Sequence, residues 1–138
     1  MDSQKTILKE ISFSGVGLHT GQKCNVTVKP AEPDTGIVFI RSDLDGLPKI
    51  KAGVDSLLVL GKSGGRRTSI GRGDAQVQTI EHFMASVSGL GIDNLFVELD
   101  SSELPGLDGS SLEYINILTQ AGLKEQDRQR NSFSIKEP

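Results

Sequence analysis

Alternating apolar and polar residues predict that the first half of the chain forms β-strands. The alternation covers residues 6–13 and 24–29, and residues 37–41 are a short apolar run that also predicts a strand. A weaker strand pair is predicted over 49–60 and a short strand between glycines over 67–70. Turn-forming residues separate these segments, as in Pro33-Asp34-Thr35-Gly36. A later strand is predicted over residues 94–100.

The first predicted helix follows these strands. Its apolar residues recur at the spacing of a single helical stripe, at Ile80, Phe83, Met84, Val87 and Leu90. Thr79 is the predicted N-cap, and Glu81 lies in the first turn, where the helix dipole favours a carboxylate. Gly89 and Gly91 predict that the helix ends near residue 90.

A second helix is predicted after the strand over 94–100. Ser110 and Glu113 have the spacing of a capping box, and Gly122 is the predicted stop. The resulting order is several strands, a helix, a strand and a helix. It predicts an α+β fold, a two-layer sandwich in which two helices lie on one face of a mostly antiparallel sheet.

The end of the chain differs in composition from the rest. Residues 124–131 are polar and charged, which predicts a linker, and residues 133–136 begin another alternating pattern. We therefore predict one domain over residues 1–123. Residues 124–138 are interpreted as a linker and the first strand of an absent second domain.

Composition is that of an ordinary globular domain. Of the 138 residues, 36% are hydrophobic and 24% are charged, which excludes disorder, collagen and coiled coil for the chain as a whole. No apolar run approaches the length of a membrane span, and the N-terminus lacks the layout of a signal peptide. Cys24 is the one cysteine, so an internal disulfide is excluded. These features predict a cytoplasmic protein.

Charge is distributed unevenly along the chain. Residues 73–123 contain eight carboxylates and neither lysine nor arginine. This segment is either a compact buried half of the domain, or a negative pocket for a metal ion, or a surface covered by another domain. Its acidity argues against nucleic-acid binding, because phosphate contacts require basic side chains.

The first helix carries the candidate chemistry. At about 100° per residue, Glu81 and His82 point away from the apolar stripe. Their neighbours on that side are small, namely Ala85, Ser86, Ser88 and Gly89, and small residues allow a second body to approach closely. A carboxylate beside an imidazole suits a metal site, with the histidine as ligand and the carboxylate as proton acceptor. The alternative is that His82 is a structural polar residue of a helix sandwiched within one domain.

Four motifs in a defined order give a more specific indication. The longest is Thr79-Ile80-Glu81-His82-Phe83-Met84-Ala85, continuing through Gly89-Leu90-Gly91-Ile92-Asp93-Asn94. The others are Gly15-Val16-Gly17-Leu18-His19-Thr20-Gly21, Asp34-Thr35-Gly36-Ile37 and Leu107-Asp108-Gly109-Ser110. Together they resemble the UDP-3-O-acyl-N-acetylglucosamine deacetylase family, the zinc hydrolases of lipid A biosynthesis. The resemblance covers about residues 5–137.

The resemblance implies a specific role for four residues. His82 would be a zinc ligand, and Glu81 would be the general base that activates the zinc-bound water. Leu18 and His19 would lie near the substrate, UDP-3-O-acyl-N-acetylglucosamine. Members of this family have two similar domains that pack with their helices inward around the zinc. The second domain would supply the remaining zinc ligands, so we expect the isolated chain to be inactive.

Two other classes of function remain open. The chain could be a non-catalytic module that binds a sugar nucleotide or a protein partner. It could also be a scaffold domain in which Glu81 and His82 are structural.

Overall fold

The computed structural model describes residues 2–59 and 65–137. In chain order the strands are β1 (Ser3–Ile7), β2 (Ile11–Val16), β3 (Lys23–Pro30), β4 (Ile37–Arg41), β5 (Lys49–Lys51), β6 (Ser69–Arg72), β7 (Ala75–Gln78), β8 (Leu95–Leu99) and β9 (Leu123–Gln129). Helix α1 (Glu81–Leu90) lies between β7 and β8, and helix α2 (Leu112–Ala121) lies between β8 and β9. A short 3-10 turn (Val54–Ser56) follows β5.

The largest sheet has five strands in the order β2-β3-β8-β4-β5. All neighbouring strands are antiparallel except β4 and β8, which are parallel. Two further two-stranded antiparallel sheets are formed by β1 with β9 and by β6 with β7. The predicted α+β fold with a mostly antiparallel sheet is confirmed.

Alternating burial explains why the central strands form. In β3 the side chains of Cys24, Val26 and Val28 are buried, whereas Lys23 and Asn25 are exposed. Strand β8 repeats this pattern, with its odd-numbered residues from 95 to 99 buried. A strand with one apolar face covers the core on that face and meets solvent on the other.

Aromatic side chains join both helices to the sheet. Phe83 of α1 lies edge-on between Phe39 of β4 and Tyr114 of α2, with ring centroids 5.9 and 5.5 Å apart. Tyr114 in turn packs edge-on against Phe13 of β2 at 5.7 Å. The geometry is the one that the ring quadrupoles favour. Both helices therefore lie on the same face of the sheet, as predicted.

The start of α1 differs from the prediction. Thr79 does not cap the helix: Ile80 is the N-cap residue, with no side-chain cap bond. The reason is that Thr79 has a φ of 58° and its hydroxyl donates to Glu103 at 2.8 Å. The predicted end is confirmed, because the helix stops at residue 90 and Gly91 adopts the left-handed conformation with φ 68°.

The predicted capping box of α2 is also absent. Ser111 is the N-cap residue and makes no side-chain cap bond. The Ser110 hydroxyl donates to the Asp108 carboxylate and accepts the backbone N–H of Leu112 at 3.1 Å, so it closes the turn before the helix. Gly122 is the C-terminal cap, as predicted.

The single strand predicted over residues 6–13 is two strands in different sheets. β1 ends at residue 7 and β2 begins at residue 11. Between them, the N–H groups of Leu8 and Lys9 donate to the carbonyls of Gly122 and Ala121 at 2.8 and 3.2 Å. The chain leaves one sheet here because its backbone bonds to the end of α2. Of the strand pair predicted over 49–60, only β5 forms among the described residues, and residue 60 lies outside them.

The predicted linker is wrong for residues 124–129, which form β9. This strand pairs with β1 along its length. Its polar side chains also bind the domain: the Gln126 amide donates to the carbonyl of Ala31 and accepts from Asn94, both at 2.8 Å. The strand predicted over 133–136 does not form in the described residues.

Candidate active site

Helix α1 presents Glu81 and His82 on a different side from its core residues. Both are half-buried, whereas Phe83 and Val87 are buried against the rest of the fold. Of the small residues predicted to accompany them, Ala85, Ser88 and Gly89 are exposed. This side of α1 is open to solvent or to a partner.

Ser86 departs from the prediction because it is buried rather than on the outer side. Its exposed fraction is 0%, and its hydroxyl donates to the carbonyl of Phe83 at 2.6 Å. A serine can be buried in a helix when its hydroxyl bonds back to the preceding turn. The apolar side of α1 is therefore wider than the apolar residues alone indicate.

The Glu81 carboxylate is tied to the segment before β6. Its Oε2 atom accepts the backbone N–H of Thr68 at 3.0 Å, while the N–H of Ile80 donates to the Thr68 carbonyl at 3.2 Å. Glu81 is also the first residue of α1. The side chain is thus oriented by a fixed donor at the start of a helix.

Leu18 and His19 lie on the turn that joins β2 to β3. The Gly17 N–H donates to the Gln22 carbonyl at 2.9 Å, and the Gly21 N–H donates to the Gly17 carbonyl at 3.0 Å. These two hydrogen bonds close the turn. Gly21 has a φ of 67°, which favours glycine. Leu18 is 63% exposed, so an apolar side chain is presented outward at the turn.

Glu103 connects this turn to the start of α1. Its carboxylate is fully buried and accepts the N–H of His19 at 3.0 Å and the N–H of Thr20 at 2.7 Å. It also accepts the Thr79 hydroxyl at 2.8 Å. Thr79 is two residues before Glu81. A single carboxylate therefore bridges the turn that carries Leu18 and the helix that carries the candidate catalytic residues.

The ionisation of Glu103 follows from these donors. Burial raises the pKa of its carboxyl, but the hydrogen bonds from Thr20, His19 and Thr79 lower it by more, so the pKa lies below its usual range. The Glu103 carboxylate is therefore a buried anion that is stabilised by the dipoles of uncharged donors and not by a cation. Sequence reasoning did not single out Glu103, because its partners lie 24 to 84 residues away along the chain.

The turn before α2 lies near the same site. Hydrogen bonds from the Ser110 N–H and hydroxyl, at 2.9 Å, lower the pKa of the Asp108 carboxyl. His82 makes a further, smaller contribution to this lowering.

A catalytic zinc ordinarily binds three protein side chains. An imidazole with an adjacent carboxylate is a donor type that zinc accepts. Within residues 2–59 and 65–137, no group of three or more histidine, cysteine or acidic side chains could hold a metal ion. Burial raises the pKa of the Cys24 thiol to about 12, with Asp100 contributing, so this sulfur is a neutral core group. Within the part of the chain that the structure describes, His82 is a zinc-compatible donor, but no three such side chains come together.

The carboxylates of the cation-free segment do not gather into one pocket. Glu98 pairs with Lys29 at 2.9 Å, and Asp93 pairs with Arg130 at 2.9 Å. Asp100 accepts the backbone N–H of Asn25 at 2.7 Å. The cations that this segment lacks are supplied by β3 and by the residues after β9.

None of the helices in the described part of the chain combines the length and the apolar character that crossing a membrane requires.

Comparison with known proteins agrees with the family resemblance that the four sequence motifs indicated. Residues 4–138 match the family model described as "LpxC: UDP-3-O-acyl N-acetylglycosamine deacetylase". A UDP-3-O-acyl-N-acetylglucosamine deacetylase from Alcanivorax borkumensis is 45% identical over 136 residues, which is 99% of this chain and 43% of the relative. The protein of the same name from Citrifermentans bemidjiense is 43% identical over 135 residues, again 43% of its length.

A third relative carries an additional activity in its name. The bifunctional enzyme LpxC/FabZ from Chlorobaculum tepidum is 45% identical over 135 residues, covering 97% of this chain and 28% of the relative. The chain therefore spans less than half the length of the curated relatives it matches.

Proposed function

The chain belongs to the LpxC family of UDP-3-O-acyl N-acetylglycosamine deacetylases, and on that premise we propose that it forms half of a deacetylase active site. The reaction would be hydrolysis of the N-acetyl group of UDP-3-O-acyl-N-acetylglucosamine in lipid A biosynthesis. One observation carries this proposal: Glu81, oriented by Thr68, lies next to His82 on the side of α1 that faces away from the core. We expect the enzyme to act in the cytoplasm.

His82 is the residue that would hold the metal. Its imidazole is half-buried on the side of α1 that faces away from the core, and imidazole is a common zinc ligand. When bound, zinc would supply Lewis-acid polarisation of the acetyl carbonyl.

Glu81 is the proposed general base. Its Oε2 atom is held by the Thr68 N–H, and Oε1 is the oxygen that would take a proton from the attacking water. The water oxygen bonds to the acetyl carbon, the carbon–nitrogen bond breaks, and the proton that Glu81 took passes to the sugar nitrogen, which regenerates the carboxylate. The acid formed loses its remaining proton, so the products are acetate and the amino sugar nucleotide protonated on nitrogen.

Leu18 and His19 are proposed to contact the substrate. The turn that carries them is exposed, and Glu103 ties it to the residues immediately before Glu81. Leu18 offers an apolar surface and His19 a polar one. This pairing suits a substrate that combines an acyl chain with a sugar.

A second domain is proposed to complete the site. The matched relatives are more than twice as long as the aligned segment. A catalytic zinc ordinarily has three protein ligands, and the described residues provide no group of three. Ala85, Ser88 and Gly89 leave the outer side of α1 without bulky side chains, so another domain can approach His82 closely.

The test compares residues 1–138 with the natural protein that carries them. The isolated chain should release no acetate from UDP-3-O-acyl-N-acetylglucosamine and should bind zinc weakly in a calorimetric titration. The natural protein should do both, and His82→Ala should abolish its tight zinc binding. Tight zinc binding and turnover by the isolated chain would contradict the half-site. Substrate binding without turnover by the natural protein would favour the non-catalytic module instead.

A further inference from the structure

We propose that Glu103 is a positioning residue for the deacetylation, because its carboxylate sets where residues 18–20 lie relative to the start of α1. This inference rests on the proposed function. It assigns a role to a residue that carries none of the proposed chemistry itself.

The contacts of Glu103 are concentrated on the substrate-facing turn. Oε1 and Oε2 accept the His19 N–H at 3.0 and 3.1 Å, and Oε2 accepts the Thr20 N–H at 2.7 Å. Two consecutive backbone N–H groups that share one carboxylate leave the turn little freedom to rotate. The position of the Leu18 and His19 side chains follows from where this carboxylate lies.

Gly17 provides independent support, because the turn is shaped around the carboxylate. A Cβ atom at Gly17 would lie 2.4 Å from Glu103 Oε2 and 2.5 Å from the Thr20 hydroxyl oxygen. The backbone of Gly17 is not in the left-handed region, so the glycine is required by close approach and not by its φ angle. The turn can contact Glu103 only because this position lacks a side chain.

The other end of the connection is Thr79. Its φ of 58° lies in a region that β-branched residues rarely adopt. The hydroxyl donates to Glu103 Oε1 and so helps to hold this conformation. Because α1 begins two residues later, the carboxylate relates the turn directly to Glu81 and His82.

The segment around Glu103 is itself fixed. Gly17 and Pro105 form an isolated β-bridge, and the N–H of Gly106 donates to the Val16 carbonyl at 2.9 Å. The Tyr114 hydroxyl donates to the carbonyl of Pro105. The residues that follow Glu103 are therefore anchored to the end of β2 and to α2, so Glu103 can serve as a rigid reference.

The main test is Glu103→Gln in the natural protein, with Asp100→Asn as the matched control. Asp100 also accepts a backbone N–H, from Asn25, but it lies outside the site. A glutamine keeps the size of Glu103 but replaces one acceptor oxygen by an NH₂ group that faces the donors. We expect KM for UDP-3-O-acyl-N-acetylglucosamine to rise roughly tenfold or more, with kcat within about threefold of the parent, because residues 18–20 bind substrate without reacting.

The control should leave both kinetic constants unchanged. A folded Glu103→Gln variant with unchanged KM, or one in which kcat falls while KM stays constant, would overturn the proposal. If this variant does not fold, Gly17→Ala replaces it, because the added Cβ displaces the carboxylate from the other side. It should also raise KM, and an unchanged KM would overturn the proposal.

A spectroscopic measurement separates this proposal from the proposed function. In the 138-residue chain, the amide signals of His19 and Thr20 should shift upfield and exchange faster in Glu103→Gln, and Asp100→Asn should not change them. Unchanged signals would contradict the positioning role even if the natural protein is a deacetylase. Absence of deacetylation by the natural protein would contradict the proposed function, and the amide signals would still decide the role of Glu103.

Discussion

The helix side of the molecule and its β1–β9 edge are held by different electrostatic contacts. On the helix side, Glu103 is fully buried and accepts only uncharged donors. At the edge, Arg128 pairs with Asp34 and Arg130 with Asp93, each at 2.9 Å, and the two arginine side chains are 63% and 41% exposed. One region uses a buried anion among dipoles and the other uses ion pairs in solvent.

The two regions should differ in how strongly salt changes their geometry. Exposed ion pairs contribute little and are screened by salt, whereas a buried carboxylate with fixed donors is hardly screened. The candidate site should therefore keep its shape over a range of ionic strength. The β1–β9 edge should respond to salt.

Removing the central aromatic side chain should have the largest effect on stability. Phe83→Ala should lower the free energy of unfolding by about 3–5 kcal/mol, because the ring is fully buried between Phe39 and Tyr114. Urea unfolding measures the change. The matched control is Leu123→Ala on β9, where the side chain is 42% exposed and the loss should be less than about 1 kcal/mol. Equal losses would contradict the contrast between the two regions.

Glu103→Gln should give the next largest loss in the free energy of unfolding, and the size of this loss should depend on pH. The lost charge-assisted bonds should cost about 1.5–3 kcal/mol at neutral pH. Because the folded pKa of Glu103 lies below its unfolded value, its contribution is complete above the unfolded pKa, near 4.3, and is lost as the pH falls through the folded pKa. The difference between variant and parent should thus be constant from pH 6 to 8, as approximate limits, and shrink in acid. A stability difference that grows in acid would contradict the lowered pKa of Glu103 in the folded protein.

Removing an ion pair at the β1–β9 edge should give the smallest loss in the free energy of unfolding. Arg128→Ala should cost about 0.2–1 kcal/mol, because both partners are exposed. The difference from the parent should disappear in about 1 M salt, where the Debye length is near 3 Å. A loss as large as that of Glu103→Gln, or one unaffected by salt, would show that the edge is held as firmly as the helix side.

Local periodicity was sufficient to predict most of the fold. Strands β3 and β8 and both helices have one buried face, so the spacing of their apolar residues carries the information, whereas β4 is a short apolar run that is buried at every position. The same angular reasoning placed Glu81 and His82 outside the core. It failed for Ser86, which lies at the border of the stripe and is buried because its hydroxyl bonds to the preceding turn.

Contacts between distant residues could not be predicted in this way. β9 has no apolar face, since its residues are exposed or half-buried, and only its backbone pairing with β1 identifies it as a strand. Thr79 fits a helix cap by sequence, yet its hydroxyl bonds to Glu103, 24 residues later. The connection between the turn and α1 likewise depends on a residue that no local motif marks.

The most direct test of the account is acetate release by the natural protein carrying Glu81→Gln. The matched control is Glu98→Gln, whose side chain pairs with Lys29 on β3 and lies away from α1. If Glu81 is the general base, the substitution should lower kcat by about 10²–10⁴-fold with little change in KM, and the control should be unaffected. A folded Glu81→Gln variant with a kcat close to that of the parent would contradict the assignment of α1 as the catalytic face.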